Sequence, residues 1–222
     1  MKYKLTFVWL LIAAPFFLKA QEEVKNFQLG FTASPNFGWA KINESSTAGY
    51  SSDGLRLGFT YGLLGDFGFS KNYFFSTAFT ITSINANTTQ SESLVNGQVS
   101  VDRSYKIQYI DIPLTIKLKT NVTAGKCFFG QFGLGTGIKI RGKSDVKRKS
   151  STSVLENLKN QDIDNANALR LGLVAGAGVQ WDYNENSKFI TGITFNNGFT
   201  DILSKGPSIR NSFFALNLGV LF

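Results

Sequence analysis

The carboxy-terminal stretch of this chain alternates strictly between two kinds of side chain. One parity holds the apolar residues Phe214, Leu216, Leu218, Val220 and Phe222. The other parity holds the small or polar residues Ala215, Asn217 and Gly219. Because successive side chains of a β-strand point to opposite faces, this stretch predicts a strand with one continuous apolar face. A strand of a soluble sandwich would usually continue into a polar tail, whereas this one ends on its apolar face.

Seven upstream segments show the same alternation. They cover approximately residues 27–39, 54–69, 73–85, 105–119, 127–140, 169–183 and 188–200. The connections between the segments alternate between long and short: 41–53, 70–72, 86–104, 121–126, 141–168, 184–187 and 201–210. Short turns on one side and longer loops on the other are typical of bacterial outer-membrane barrels. We therefore predict an all-β fold, an eight-stranded antiparallel up-and-down transmembrane β-barrel.

Local features add two expectations. Pro35 and Pro113 interrupt predicted strands, and because proline has no N–H for the ladder, we expect a bend or bulge at Pro35 and a bulge at Pro113. Residues 153–159, in the longest connection, are expected to form a helical turn or two.

A secreted soluble barrel of the lipocalin type is the alternative architecture, and it also has eight strands. Its apolar face would point inward and its other face would need to be polar. The second face of the present strands is instead rich in glycine, as at Gly133, Gly135, Gly172 and Gly176. Glycine suits the crowded interior of a narrow barrel better than a solvated surface, which favours the membrane barrel.

The amino-terminal segment differs from the rest of the chain. Lys2 and Lys4 precede an apolar run over residues 5–18, and Ala20 is followed by Gln21. This pattern predicts a signal peptide over residues 1–20, export through the Sec pathway and a barrel domain over residues 21–222. An amino-terminal membrane anchor is the alternative, but the run is shorter than the ~20 residues that a helical span needs. The expected location is the outer membrane of a Gram-negative cell.

Polar and charged residues occur on the inward parity of the predicted strands. They are Arg56, Asp66, Asp111, Lys117, Gln131, Lys139, Arg170, Gln180 and Asp182. Charges in a low-dielectric interior must be paired, so the simpler interpretation is a structural network that fills the lumen. The functional interpretation is a gated polar path, although eight-stranded barrels are too narrow for an open channel.

The chain contains no histidine and a single cysteine, Cys127. Histidine is the usual general base of the lipases, acyltransferases and proteases that are built on membrane barrels, so we expect no enzyme activity. The same two counts make a transition-metal site improbable and exclude an internal disulfide. We expect no cofactor.

A basic cluster lies in the longest predicted connection. It consists of Arg141, Lys143, Lys147, Arg148 and Lys149. The simpler interpretation is a solvated loop, and the sharper one is contact with the phosphate groups of lipopolysaccharide, which lysine and arginine bind well. Nucleic acid is not an expected partner of a secreted barrel.

Several strings resemble the PorT-like family of small outer-membrane β-barrel proteins, which is also labelled porin family or outer membrane protein β-barrel domain. The most specific string runs from Gln108 through Tyr109-Ile110-Asp111-Ile112-Pro113-Leu114 to Lys119. Others are 34–36, 56–62, 130–135 and 196–202. The resemblance covers nearly all of the chain after residue 20 and implies location and fold. It carries no catalytic residues, and only by analogy with PorT does it suggest a link to type IX secretion.

These observations favour a non-enzymatic protein with a structural or surface-binding role in the cell envelope. An accessory part of type IX protein secretion is the first alternative, and a narrow porin-like channel for small solutes is the second. The expected partners are outer-membrane lipid, lipopolysaccharide, the barrel-assembly machinery and possible secretion or envelope proteins. Residues 214–222, with Phe214, Leu216, Leu218, Val220 and Phe222 on the apolar face, are the expected assembly signal.

Overall fold

A computed structural model of the chain describes residues 27–42, 49–94, 97–150 and 153–222. These residues form one antiparallel sheet of eleven strands. The strands are β1 (Phe27–Ile42), β2 (Tyr50–Ser52), β3 (Arg56–Ser70), β4 (Tyr73–Leu94), β5 (Gly97–Asp111), β6 (Leu114–Lys119), β7 (Lys126–Ser150), β8 (Val154–Asp162), β9 (Leu169–Asp182), β10 (Lys188–Asp201) and β11 (Ile209–Leu221).

The sheet closes on itself because β1 pairs with both β3 and β11. Gly30 of β1, for example, lies opposite Leu64 on one side and Leu221 on the other. The ring continues through β4, the β5–β6 pair, β7, β9 and β10. Since β5 and β6 share one position in the wall, the barrel has eight wall strands, and the predicted fold is confirmed. Closure pairs every wall strand on both sides, as a span through lipid requires.

The predicted bulge at Pro113 is wrong. The strand is interrupted at Ile112 and Pro113, but its register is the same on either side of the break. Asp111 lies opposite Thr80 and Leu114 lies opposite Thr77, so no residue is inserted. The proline simply removes one N–H from the ladder. The pairing of β1 with β11 is likewise interrupted near Pro35 without a change of register.

An apolar belt surrounds the outside of the barrel. The predicted outward parity of the last strand is exposed along its length, from Phe214 at 45% to Phe222 at 58%. Phe31, Leu63, Phe132 and Leu171 show the same exposure on other strands. Side chains of this kind are stable on a surface only against lipid, which agrees with the membrane barrel.

Two predicted loops are largely strand, and a third contains a short strand. Residues 86–104 continue β4 and β5 upward as a hairpin, and residues 141–168 contain the end of β7 and all of β8. The helical turn predicted for residues 153–159 is therefore wrong, and β2 lies within the predicted loop 41–53. These strands rise above the apolar belt, where a polar outer face is stable, so their composition resembles that of loops. We call this side of the barrel the hairpin end and the opposite side the turn end.

The predicted signal peptide, residues 1–20, lies outside the described residues. Within the described residues, no helix has the length and hydropathy of a membrane span.

Candidate functional site

An ionic cluster fills the barrel near the turn end. Lys117 donates from Nζ to both carboxylate oxygens of Asp66, at 2.8 and 2.9 Å, and Lys119 Nζ lies 3.0 Å from Asp66 Oδ2. The hydroxyl of Ser76 donates to Asp66 Oδ1 at 2.6 Å. All three charged side chains are nearly inaccessible, with 1–6% exposure. Lys119 also donates to Gln28 Oε1 at 3.0 Å, so the cluster connects β1, β3, β4 and β6.

A second charged layer lies closer to the hairpin end. Arg170 on β9 donates from Nη2 to the side-chain oxygen of Asn196 on β10. Its Nη1 atom lies 3.6 Å from Oδ1 of Asp111, and its guanidinium packs over the rings of Tyr109 and Phe213. Asp111 and Arg170 are both more than nine-tenths buried. The arginine thus combines an ion pair with cation–π contacts inside the barrel.

Apolar side chains fill the interior at the hairpin end and beside the ionic cluster near the turn end. At the hairpin end, inward side chains of the wall pack against Ile202 and Leu203, which lie just after β10, and against Ile209. Toward the turn end, Phe129, Ile190 and Leu221 pack with Leu64. The interior of the described barrel is therefore filled at both ends, as expected for eight strands.

Seven of the nine predicted lumen residues lie inside the barrel. Asp66 and Lys117 belong to the ionic cluster near the turn end, which we call the lower layer. Asp111 and Arg170 belong to the second charged layer, which we call the upper layer. Gln180 is buried, and Gln131 donates to the Thr194 hydroxyl at 3.4 Å. Lys139 lies at the hairpin end, where it donates to the Ala166 carbonyl at 2.7 Å.

Two of the nine are not in the lumen. Arg56 is exposed and pairs with Asp53 at 3.4 Å, and Asp182 pairs with Lys188 at 3.4 Å on the rim of the turn end. Both have the inward parity, but each lies in the first or last position of its strand. A side chain at a strand end projects beyond the wall, so parity alone placed these two residues wrongly.

Sequence reasoning missed Lys119, Ser76 and Asn196. The signal for Lys119 was present, because it shares the inward parity of Lys117 two residues earlier. Ser76 and Asn196 are ordinary polar residues in the sequence, and only the neighbouring charge gives each its role.

The basic cluster owes its orientation to a bulge in β7. Tyr109 lies opposite Lys139 and Gln108 lies opposite Arg141, so Ile140 is one residue in excess. Below the bulge the even-numbered residues face outward, as exposed Ile138 shows. Above it the odd-numbered residues face outward, since Ser144 is buried. The bulge therefore turns Arg141, Lys143, Lys147 and Lys149 to the outer surface, with Arg141 immediately above the apolar belt.

Three of the five basic residues are paired with acids. Lys143 lies 2.8 Å from Asp162, Lys149 lies 2.6 Å from Asp102, and Arg148 lies 3.7 Å from Glu156. Arg141 and Lys147 have no acidic partner among the described residues. The predicted loop site is thus a strand surface. Most of its charges are compensated, but those of Arg141 and Lys147 are not.

A polar groove of about 560 Å³ lies at the base of this surface. Its lining includes Arg141 and Lys143 of β7, Lys106 and Gln108 of β5, and Asn160 of β8. Arg141 lies opposite Gln108, and Lys143 lies opposite Lys106. Lys106 is not one of the predicted site residues, although it lies on the outward parity of its strand. We call these residues the basic groove.

The groove is stabilised by Asp145, which connects Lys106 to the backbone of β8. The backbone N–H of Asn160 donates to Asp145 Oδ1 at 2.8 Å, and Lys106 Nζ donates to Oδ2 at 2.5 Å. The Asn160 hydrogen bond, followed by the bond from Lys106, holds the pKa of Asp145 below its usual value of 3.8. A lowered pKa in the folded protein contributes stability above the unfolded pKa, and this stability is lost as the pH falls through the folded pKa.

We therefore expect the β7–β8 hairpin to open locally in strongly acidic solution. Hydrogen-exchange protection factors of the β8 amides should fall relative to those of β9 amides between neutral and strongly acidic pH. The Asp145→Asn variant should lose this pH dependence. An equal acid-induced loss of protection in that variant would assign the effect to other groups.

The residues of the expected assembly signal lie on the lipid-facing side of β11 and at its end. The backbone of Phe222 exchanges two hydrogen bonds with Leu29 of β1, at 2.8 and 3.2 Å. Its ring lies 5.9 Å from that of Phe31. The terminal residue is therefore part of the seam that closes the barrel, and its recognition by the assembly machinery stays a prediction.

The comparison with known protein families agrees with this architecture. The family described as "Outer membrane protein beta-barrel domain" matches residues 19–204. Among proteins with curated functions, none matched the chain. Solved structures with a similar fold include Neisserial surface protein A, which is 11% identical with a TM-score of 0.48 over 88% of this chain and 95% of that chain.

Two further similar structures come from Yersinia pestis and Pseudomonas aeruginosa. Ail of Yersinia pestis, solved in complex with the heparin analogue sucrose octasulfate, is 16% identical with a TM-score of 0.41 over 88% of this chain and 99% of that chain. OprG of Pseudomonas aeruginosa is 9% identical with a TM-score of 0.44 over 88% of this chain and 95% of that chain. At these identities the similarity concerns the fold and not the function.

Proposed function

We propose that this chain, which belongs to the outer membrane protein β-barrel domain family, is a non-enzymatic envelope protein that binds lipopolysaccharide. The proposed site is the basic groove, and the proposed ligand groups are the phosphates of the glycolipid. The observation that carries this proposal is the position of Arg141. It is a cation without an acidic partner among the described residues, and it lies one residue above the lipid-facing Ile140.

The chemistry of the groove suits a phosphate at the membrane surface. Arginine donates bidentate hydrogen bonds to phosphate oxygens, and Lys106 and Lys143 add two further ammonium groups close by. Both lysines pair with carboxylates, so neither is an uncompensated charge before a ligand binds. Each ammonium group can still share its donors with a phosphate. The apolar belt directly below would lie against the acyl chains of the same lipid.

The packing that fills both ends of the interior counts against the narrow-channel alternative. A solute would have to displace the apolar packing at both ends and pass the two ionic layers. Water-filled channels belong to barrels with more strands. A role carried by the outer surface requires no such rearrangement.

The proposal predicts that Arg141→Gln weakens lipopolysaccharide binding by at least about tenfold, because a charge-assisted hydrogen bond contributes roughly 1.5–3 kcal/mol. Binding can be measured by titrating purified barrel in detergent with lipopolysaccharide and following its thermal stability, which rises when a ligand binds the folded state. Lys71→Gln is the matched control, since it removes one exposed cation from a turn at the opposite end.

Equal affinities of Arg141→Gln and the wild type would overturn the assignment of the groove. Equal losses in Arg141→Gln and Lys71→Gln would show that net charge, rather than a site, attracts the lipid. Higher salt should weaken the wild-type interaction and have less effect on the variant.

The secretion alternative depends on the resemblance to PorT-like proteins and stays a hypothesis. Deletion of the gene followed by an assay of type IX cargo tests it, and normal secretion would remove it.

A further inference from the structure

The barrel interior contains a cavity of about 130 Å³ at mid-height. It extends from Lys117 of the lower layer to Asp111 and Asn196 of the upper layer. Its lining combines hydroxyl groups, such as that of Thr194, with apolar side chains, such as Val174. A Cβ at Gly135 would lie 2.9 Å from the Asn196 amide and 3.0 Å from a Val174 methyl, so the glycine provides the space for both. Most of the surface exposed to the cavity is apolar, although many of the lining residues are threonine or serine, whose carbon atoms contribute to that surface.

A buried acceptor with unused hydrogen-bonding capacity borders the cavity. Oδ1 of Asp111 has no hydrogen-bond partner among the described residues, although the side chain is buried. Nε and Nη1 of the neighbouring Arg170 have none either. The great majority of buried polar atoms in proteins are hydrogen-bonded. A guest molecule that carries an O–H group could donate to the carboxylate of Asp111, a residue that lines the cavity.

The wall of the barrel offers an entrance to this cavity. Where β4 pairs with β5 and β6, Pro113 lies opposite Ala78. Because proline has no N–H, it donates no hydrogen bond to β4 at this position. Both residues line the cavity, and so do Thr77 and Thr136. These two threonines share the parity of Phe75 and Leu134, which face the lipid. The cavity therefore reaches the lipid-facing surface at the interruption between β5 and β6, whereas apolar packing closes both ends of the barrel.

We infer that the interior is a binding site for a small, neutral, mainly apolar molecule with one hydrogen-bond donor, which enters from the bilayer beside Pro113. The volume limits the guest to roughly the size of a single aromatic ring, because an engineered cavity of about 150 Å³ in another protein binds benzene. An ionic guest is disfavoured, since it would lose its hydration without a free counter-ion. This inference is independent of the proposed lipopolysaccharide site.

Phenol is a suitable probe for the barrel in lipid nanodiscs with labelled methyl groups. We expect saturable NMR shifts of the Ile190 methyl groups, which line the cavity. Val174→Phe should fill the cavity and weaken binding at least tenfold. Ala177→Phe is the matched control, because it adds the same ring on the exposed face of β9 and should leave binding unchanged. Heat-modifiable migration on gels verifies that both variants are folded.

Two further comparisons test the donor and the route. Benzene, which lacks a donor, should bind about tenfold more weakly than phenol. Pro113→Ala restores an N–H opposite Ala78 and should slow phenol exchange several-fold without changing affinity, whereas Pro35→Ala should not. The absence of saturable shifts at Ile190, or equal binding by Val174→Phe, would overturn the site. Unchanged exchange in Pro113→Ala would overturn the lateral entrance.

Discussion

Asp66→Asn should destabilise the barrel by about 3–5 kcal/mol, the loss that follows when one partner of a buried ion pair is removed. Asp66 is the one carboxylate that pairs with both Lys117 and Lys119 in the described structure. Without it, two ammonium groups remain in an interior where each is only 5–6% exposed. The free energy of unfolding, measured by reversible urea titration in detergent micelles, would report the loss.

Asp182→Asn is the control for this prediction. It breaks an ion pair of similar composition, with Lys188, but on the solvated rim, where such pairs contribute about 0–1 kcal/mol. Adding Lys117→Met to Asp66→Asn should restore part of the stability, because one stranded charge is removed. A loss below about 1 kcal/mol in Asp66→Asn, or no recovery in the double variant, would contradict the account of the lower layer.

Deletion of Phe222 should prevent most of the protein from assembling. The deletion removes the two hydrogen bonds to Leu29 at the seam and moves the terminal carboxylate toward the apolar belt. Unpaired backbone groups in lipid cost several kcal/mol each, so the seam would remain open at its end. The folded fraction can be measured by heat-modifiable gel migration, both in cells and after refolding into micelles.

Phe222→Ala keeps the backbone hydrogen bonds of the seam and removes only the ring. It therefore distinguishes closure of the seam from recognition of the ring by the assembly machinery. We expect it to refold in micelles nearly as well as the wild type but to assemble poorly in cells. Phe189→Ala removes a lipid-facing ring from β10 and should assemble normally. If Phe222→Ala assembles in cells like the wild type, the terminal ring serves only for packing against lipid.

The membrane-spanning part of the fold could be predicted from the sequence because lipid imposes a strict period of two. Residues 214–222 show this period completely, and the other wall strands follow it. Above the belt the outer face is polar, and the signal weakens. In the hairpin of β4 and β5 the inward residues Ala86, Val99 and Val101 still alternate and are buried, but their outward neighbours resemble a loop.

The site was predicted less completely, for three physical reasons. Inward parity identified Asp66, Lys117, Asp111 and Arg170, but it does not indicate height, so Arg56 was misplaced at a strand end. The bulge at Ile140 depends on how β7 pairs with β5, which a single strand does not reveal. The cavity arises from the joint packing of all eight wall strands, and no local pattern encodes its volume.

The most direct test of the proposed function is native mass spectrometry of the wild-type barrel with two forms of one lipid. Lipid A that carries its phosphates and the same lipid after removal of the phosphates have identical acyl chains. The account predicts that the phosphorylated form binds at least tenfold more tightly, because its phosphates contact Arg141 and the neighbouring lysines. Equal retention of the two forms would contradict it and would reduce the interaction to ordinary contact between the apolar belt and lipid.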